Sequence, residues 1–497
     1  MKHFIAIALL FATVFGYAQT TYTGKVTNLI TENLAGATVQ SASNLNNAVV
    51  TDLDGNFSIT LNDNTTVIVK FLGYNQISQD LTTSSNTITL TPNDELLDEV
   101  VVSASREVQK RKEVPASISV ITNKELKAAK AFGIDQLVND VPGVVMSTSR
   151  AASNDQHFMA VRSLISTKSL FLYVEDGLPI RPTALFNHNA LLEVNDVSFD
   201  RVEVLKGPAS SIYGSEAIGG SFNFLTKNPT KELTGSLDFQ INDLGLKRYA
   251  FDVSQYANDI TGFYLGAQYV HREDGQVSYS NYEKFALTFK NVNHFSPTFN
   301  WTNSVNIIDY RSDMSGSLSE DDYNEGNYES DQTFTERDAF AFRLKSTLDK
   351  TWNTTNKTVL NLAFRNNDMG QNPSYRVRQF RTMGQLNGRG SGELNKNSFY
   401  SYVALLQHKK DFKFKKASLI VGATADFSPQ TYKAETLDVE VNPETGQNVD
   451  FTLNSGDFIL NYEADILNYA TYAQFEINPI EKLKLTAAVR YDKFEYD

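Results

Sequence analysis

Residue types that make and break bonds are thinly supplied in this 497-residue chain. There is no cysteine, which removes disulfides, thiolate metal clusters and thiol nucleophiles together. The 6 histidines are scattered, and neither His-x-x-Glu nor His-Glu-x-x-His occurs to build a zinc site. A glycine-rich stretch, KGPASSIYGSEAIGGSFNF (206–224), lacks the Gly-Lys-Ser/Thr that a phosphate-binding loop needs. Its Gly207, Gly214, Gly219 and Gly220 read instead as tight turns and close backbone approach. No catalytic residue and no cofactor is assigned, and the protein is not expected to be an enzyme.

What remains is non-covalent chemistry. In DELLDEVVVSAS (94–105) an apolar run, Val100–Val102, sits between acidic residues and small polar ones. It is either an ordinary linker or edge strand, or an extended peptide that adds as a strand to another protein's sheet. Arg365, Arg376, Arg378, Arg381 and Arg389 crowd one stretch that would suit an anionic ligand. They equally balance the acidic stretch 309–336. His157 and His188 could take a bare metal ion, but the other histidines lie elsewhere, so no metal site is assigned. The net charge of −13 excludes a phosphate-neutralising nucleic-acid binder.

The elements that must position these groups change texture along the chain. Lys2, the apolar run Phe4–Phe15 and Gly16-Tyr17-Ala18 read as a secretory signal peptide (1–18). Residues 19–92 carry short β-prone runs with turn chemistry at Asp52-Leu53-Asp54-Gly55, a small β-sandwich. Residues 93–106 are the acidic-then-apolar linker. Residues 107–228 read as a compact α/β globule, with a capping box at Thr122-x-x-Glu125 opening a helix. From 229 to 497 the pattern becomes long alternating strands. Phe263, Leu265, Ala267 and Tyr269 take one face, while Tyr264, Gly266 and Gln268 take the other. The polar face carries full charges such as Arg343 and Lys345, and long polar connections follow, which matches a transmembrane barrel. A mean hydropathy of −0.32 is compatible with that, since lipid-facing residues alternate with polar ones. The fold class expected is mainly β: sandwich, α/β plug, and about eleven strands of an antiparallel barrel.

These segments together resemble the TonB-dependent outer-membrane receptors. DEVVVSAS (98–105) looks like the TonB box. EVPASISVIT (113–122), LVNDVPGV (137–144), Val161-Arg162, FLYVEDGLPI (171–180) and RVEVLKGPASSIYGSEAIGGSFNFLTK (201–227) match the plug in order and spacing. GKVTNLITENLAGATV, TDLDGNFSI and VKFLGYNQ resemble the carboxypeptidase-regulatory-like domain, an arrangement similar to that of Bacteroidetes receptors.

The resemblance implies active import without chemical catalysis. It places a TonB-pairing segment at Glu99, Val100, Val101, Val102 and Ser103, engaging TonB of the inner-membrane TonB–ExbB–ExbD complex. It gives the plug motif as Asp176, Gly177, Glu203, Gly207, Tyr213, Gly214, Gly219 and Gly220. Arg162 and Lys206 are then positions that face barrel-wall carboxylates, although Ser163 and Lys206 stand where the family usually has Gly and Arg. Candidate ligand contacts are His157, Arg181, Asn187, His188 and Asn189 on apical plug loops, with Arg376, Arg378 and Arg381 on a barrel connection. The protein would sit in the outer-membrane lipid, with its sandwich and TonB box in the periplasm. The ligand implied is a small molecule, most readily a ferric siderophore or other iron chelate. Cobalamin, a glycan or peptide with a surface lipoprotein partner, and a signalling role stay open.

Geometry adds one expectation. A plug of ~120 residues has a diameter of roughly 35 Å. About twelve strands enclose only ~24 Å, while about twenty-two, the family's number, enclose ~44 Å. The sequence is therefore expected to encode about half of a barrel.

Overall fold

The computed structural model describes residues 20–497, except 29–30, 45–46, 63–64, 72–73, 83–85, 92–99, 132, 149–156, 163, 165–169, 184, 186, 274 and 317. The signal-peptide reading and Glu99 fall outside the described residues. Two compact units result, one reaching Val100 with Lys110–Lys112, the other Val101–Gln109 and Glu113–Asp497.

The first unit is a two-sheet sandwich. One sheet orders Asn56–Leu61, Thr20–Asn28 and Asn86–Leu90; the other orders Ala48–Val50, Thr38–Ser41, Thr66–Lys70 and Ile77–Asp80. Strict alternation in NFSITL buries Phe57, Ile59 and Leu61 against Val26, Val67 and Ile88. The turn before it is closed by Asp52, whose Oδ1 accepts from the Asp54 and Asn56 amides at 3.0 and 2.8 Å.

The second unit contains the plug and the long strands. The plug's five-stranded sheet orders Ser117–Thr122, Phe199–Lys206, Gly220–Thr226, Phe171–Glu175 and Leu178–Pro179. The helix Asn123–Ala129 starts at the expected capping box, with Thr122 and Glu125 bonding reciprocally. Phe199 stacks on Phe224 at 4.9 Å, and both sit in a core with Tyr173, Leu191 and Phe222.

From Thr234 onward eleven strands form one antiparallel meander, ending at Leu483–Tyr496, and the short strand Arg378–Thr382 pairs beside Gln385–Asp411. Turns at one end are brief, such as 354–355, whereas connections at the other are long, such as 314–335. Side-chain alternation sorts the two faces. Tyr264 and Gln268 are buried toward the plug, while Phe263, Tyr269, Phe340, Leu344, Leu406 and Val489 are exposed on the outer face. Such a continuous exposed apolar band fits a lipid-facing wall. Among the described residues no helix is long and apolar enough to cross a membrane.

Candidate functional site

The strand-prone segment after the acidic run is seated on the plug rather than hanging free. Val101 is fully buried among Val114, Leu172, Val174 and Leu205 of the plug and Ile420 and Tyr472 of the wall. One carboxylate holds the next two residues. Glu203 Oε2 accepts from the Val102 amide at 2.9 Å, the Ser103 amide at 2.9 Å and Ser103 Oγ at 2.6 Å. Its Oε1 accepts from Arg201 Nε at 3.0 Å, so the buried charge is fully bonded. Asn223 Nδ2 also donates to Ser103 Oγ at 3.2 Å.

Beyond Ser103, Arg106 adopts a left-handed φ of 56° and lies between two aromatic rings. Its guanidinium is 4.7 Å from the centre of Tyr213 on the plug and 5.7 Å from that of Tyr472 on the wall. It donates to Gly177 O at 3.2 Å and to Tyr472 Oη at 3.3 Å. Glu107 continues the attachment to the wall through Lys357 at 3.4 Å and Gln407 Nε2 at 3.3 Å. Replacing Glu203 with Gln removes the charge that holds Val102 and Ser103. In a Val102→Cys background, where this is the single thiol, maleimide labelling is expected to quicken by roughly tenfold, as for the loss of a charged hydrogen-bond acceptor. Equal labelling rates with and without the Glu203→Gln change would remove Glu203 as the retaining group.

The plug meets the wall largely through charge, and most of the described ion pairs between them run from plug carboxylates to wall cations. Glu193, at the end of the 3-10 helix Asn187–Glu193, pairs with Arg181 of the plug, receives Asn367 Nδ2 at 3.0 Å, and lies 3.8 Å from Arg343 Nη1. Arg343 also reaches Glu175 at 3.1 Å. Asp196 receives Arg248 at 2.8 Å and Asp176 receives Lys290 at 3.3 Å. Lys227 with Asp252 of the wall is the reverse case. Burial opposes ionisation of Asp176, but Lys290, Lys345 and the Thr226 hydrogen bonds outweigh it and hold its carboxyl below the usual carboxylate range. Asp196 is held down likewise, with burial outweighed by Arg248, Lys284 and Gln268. A depressed folded-state pKa adds stability above the unfolded value of about 4, and loses it as pH falls through the folded value. Protease protection of the plug should therefore be flat between about pH 8 and pH 5 and fall only in stronger acid. Loss of protection already at about pH 6 would contradict these pairings.

A cavity of about 380 Å³ lies along this interface, lined by Val102, Arg106, Asp176, Lys290, Lys345 and Lys357.

The motif residues fall as follows. Asp176 and Gly177 form the turn after Phe171–Glu175 with φ of 45° and 81°, and Asp176 Oδ1 accepts from the Thr226 amide at 2.9 Å. Gly219 permits close approach, since a Cβ there would stand 2.7 Å from the Phe171 ring. Gly207, Gly214 and Gly220 all take positive φ in the same stretch. Arg162 donates to Ser117 Oγ at 3.1 Å, and Lys206 to Ser119 Oγ at 2.9 Å and Pro142 O at 3.0 Å, bonds that all lie within the plug. Arg181 corrects an expectation: it is 2% exposed and committed to Glu193, not an apical ligand contact. His157 lies in the strand His157–Val161 and Asn187, His188 and Asn189 in the 3-10 helix; their side chains lie outside the described residues. Arg376, Arg378 and Arg381 are exposed on the long-connection end, Arg376 lying 3.6 Å from Glu393 and Arg381 donating to Gly384 O at 3.2 Å.

Sequence reasoning missed Glu193, Asp196, Arg248, Glu107 and Arg106. Inward parity beside apolar outward neighbours could have flagged Arg248.

The fold and site define a plug domain seated against a curved antiparallel wall of long strands. Comparison with known proteins agrees. The TonB-dependent Receptor Plug Domain family matches residues 110–221, and the CarboxypepD_reg-like domain matches 22–102. The chain therefore carries a plug domain of the TonB-dependent receptor type, preceded by a regulatory-like domain. It is 36% identical over 132 residues to the vitamin B12 transporter BtuB of Vibrio vulnificus (strain CMCP6), covering 26% of this chain and 20% of that protein. It is 29% identical over 277 residues to the TonB-dependent receptor SusC of Bacteroides thetaiotaomicron, covering 52% of this chain and 27% of that one. Among solved structures, the unliganded ferric citrate transporter FecA superposes with a TM-score of 0.63 at 15% identity over 77% of this chain and 57% of its own. The FpvAI–pyocin S2 complex gives a TM-score of 0.67 at 17% identity over 87% and 59%. The chain thus spans less than two thirds of the length of these relatives.

Proposed function

We propose that this protein is an energy-coupled importer of the outer membrane whose ligand is a small molecule, most readily a ferric siderophore or other iron chelate. The observation that carries the reading is the seating of Val101–Ser103. A short β-prone peptide is held on the plug sheet largely through one carboxylate, Glu203, so a competing sheet edge can take it over. In this reading the Glu99–Ser103 segment faces the periplasm, leaves Glu203, and pairs with TonB by strand addition. Force from the inner-membrane TonB–ExbB–ExbD complex then passes through Arg106 and Glu107 to the plug–wall contacts. Ligand binds at the opposite, long-connection end, between the plug and the wall connections. His157, Asn187, His188 and Asn189, with Arg376, Arg378 and Arg381, are the proposed contacts there.

The chelate reading draws on the arginine-rich connection and on a 28% identical match over 146 residues to the ferrichrome outer membrane transporter/phage receptor of Escherichia coli (strain K12). A second reading, cobalamin import, is favoured by the match to BtuB. Uptake of radiolabelled ferric citrate, ferric siderophores and cobalamin by cells making the full-length gene product, set against a deletion strain, separates the two. Uptake of iron chelates unchanged by deletion, in cells lacking other receptors, would end the iron reading.

A further inference from the structure

In a chain of net charge −13, the turn that follows the strand Gln385–Asp411 is strongly basic. KKDFKFKK (409–416) sets five lysines and two phenylalanines around one aspartate. That carboxylate is taken, since Lys409 lies 3.5 Å from Asp411 Oδ1. Lys410, Lys413, Lys415 and Lys416 have no ion-pair partner among the described residues, and the last three are exposed. By strand alternation Lys410 shares the outer face with exposed Leu406.

Backbone bonds, not these side chains, hold the turn. The Ala417 amide donates to Phe414 O at 2.9 Å and the Phe412 amide to Ala417 O at 2.8 Å. On one side the Asn478 amide donates to Lys415 O at 3.0 Å; on the other the Asp411 amide donates to Thr355 O at 2.8 Å. The two central residues, Lys415 and Lys416, have φ of 46° and 47°. A two-residue hairpin turn with both φ positive is built most favourably from Asn-Gly, and lysine there is strained. Closing the hairpin therefore gives no reason for two lysines, and strain of this kind collects where side chains serve something beyond the fold.

The surroundings fix the level of the turn. It lies at the brief-turn end of the wall, where Lys410 pairs with Asn356 beside the turn 354–355. Exposed aromatic side chains gather at this end: Phe414, Trp352 and Phe295. Lys350 Nζ sits 5.8 Å from the centre of the Phe299 ring and 5.9 Å from that of Trp352. Aromatic rings interleaved with lysines, next to an outward apolar band, are the composition of a membrane–water boundary.

We propose that Lys410, Lys413, Lys415 and Lys416 bind the headgroups of anionic phospholipid in the adjoining leaflet, with Phe414 seated at the edge of the acyl chains. Four ammonium groups with no carboxylate among them select a net negative headgroup, because a zwitterionic one sets its own cation against them. The exposed phenylalanine favours a partner with an apolar interior beside its charges. Ile420, on the strand that leaves the turn, packs in one cluster with Val101. The lipid contact thus braces the wall beside the point at which the Val101–Ser103 segment is drawn away. The inference rests on the outer-membrane reading and adds to it a lipid class and the residues that hold it.

Native mass spectrometry of the full-length protein in detergent, titrated with phosphatidylglycerol or phosphatidylethanolamine, tests it. Phosphatidylglycerol is expected to bind more tightly. Lys415→Asn combined with Lys416→Gly removes two charges and gives the turn its favoured residues. This variant should melt no lower than the parent yet bind phosphatidylglycerol roughly tenfold more weakly. Lys410→Gln with Lys413→Gln, outside the strained pair, should weaken it similarly. Unchanged phosphatidylglycerol affinity in both variants overturns the proposal. Competition by free glycerol phosphate would make the turn a phosphate site and overturn the lipid assignment, as would lysine-dependent binding of purified peptidoglycan in place of the lipid. Insertion into phosphatidylethanolamine vesicles judges the membrane reading separately. Failure to insert ends that reading and this proposal with it, whereas insertion without a charge preference ends the proposal alone.

Discussion

Glu193→Ala is expected to destabilise the plug by about 3–5 kcal/mol, the usual consequence of removing one partner from a buried ion pair. The side chains of Arg181 and Glu193 are 1% and 2% exposed, so solvent screens little of their interaction. Removing the carboxylate also takes an acceptor from Asn367 and a neighbouring charge from Arg343. Arg343 keeps Glu175, so the loss falls mainly on Arg181. Denaturant unfolding in detergent, followed by trypsin sensitivity of the plug, measures it. Pairing the change with Arg181→Met should restore part of the loss, because the uncompensated guanidinium is then gone. A loss below about 1 kcal/mol would show that Glu193 is not the hub of the interface.

The second large effect concerns coupling rather than stability. Val101→Pro is expected to abolish energised uptake while leaving ligand binding in place. Proline has no amide hydrogen and fixes φ near about −65°, so a strand carrying it cannot donate at that rung. Val101 is also fully buried on the plug, so the same change should loosen the seated state. Looser seating alone would favour TonB engagement, and a broken ladder would prevent it. Uptake therefore decides between them. Normal transport by the Pro variant would remove the strand-addition step from the mechanism.

Much of the architecture was legible in the sequence because it is local. The capping box at Thr122 and Glu125, the turn at Asp52–Asn56 and the period-two alternation of Phe263–Tyr269 need only near neighbours. Alternation also told which face of each strand meets the plug, hence that Arg343 and Lys345 point inward. Partners were not legible. Glu175 and Arg343 lie 168 residues apart, and Glu107 and Gln407 lie 300 apart. No periodicity reports which wall register faces which plug turn. Arg181 was misread for the same reason: its partner, Glu193, is brought back by a 3-10 helix that the sequence pattern did not reveal. The segment at 101–103 read equally as a linker or edge strand and as a strand-adding peptide, because composition does not report its seat, which is made by a glutamate 100 residues on.

The polarity of the plug–wall interface bears on how such a machine can run repeatedly. Two apolar faces, once prised apart, would expose oily surface to water and resist parting until they failed together. Here apolar contacts such as Val101 with Ile420 alternate with carboxylates, ammonium and guanidinium groups and amides, and a cavity of about 380 Å³ lies along the seam. Each of these polar groups can exchange its protein partner for a water molecule at small net cost. In the import reading, water drawn into the seam would let the polar contacts part and re-form one at a time. The joint is built to be wetted.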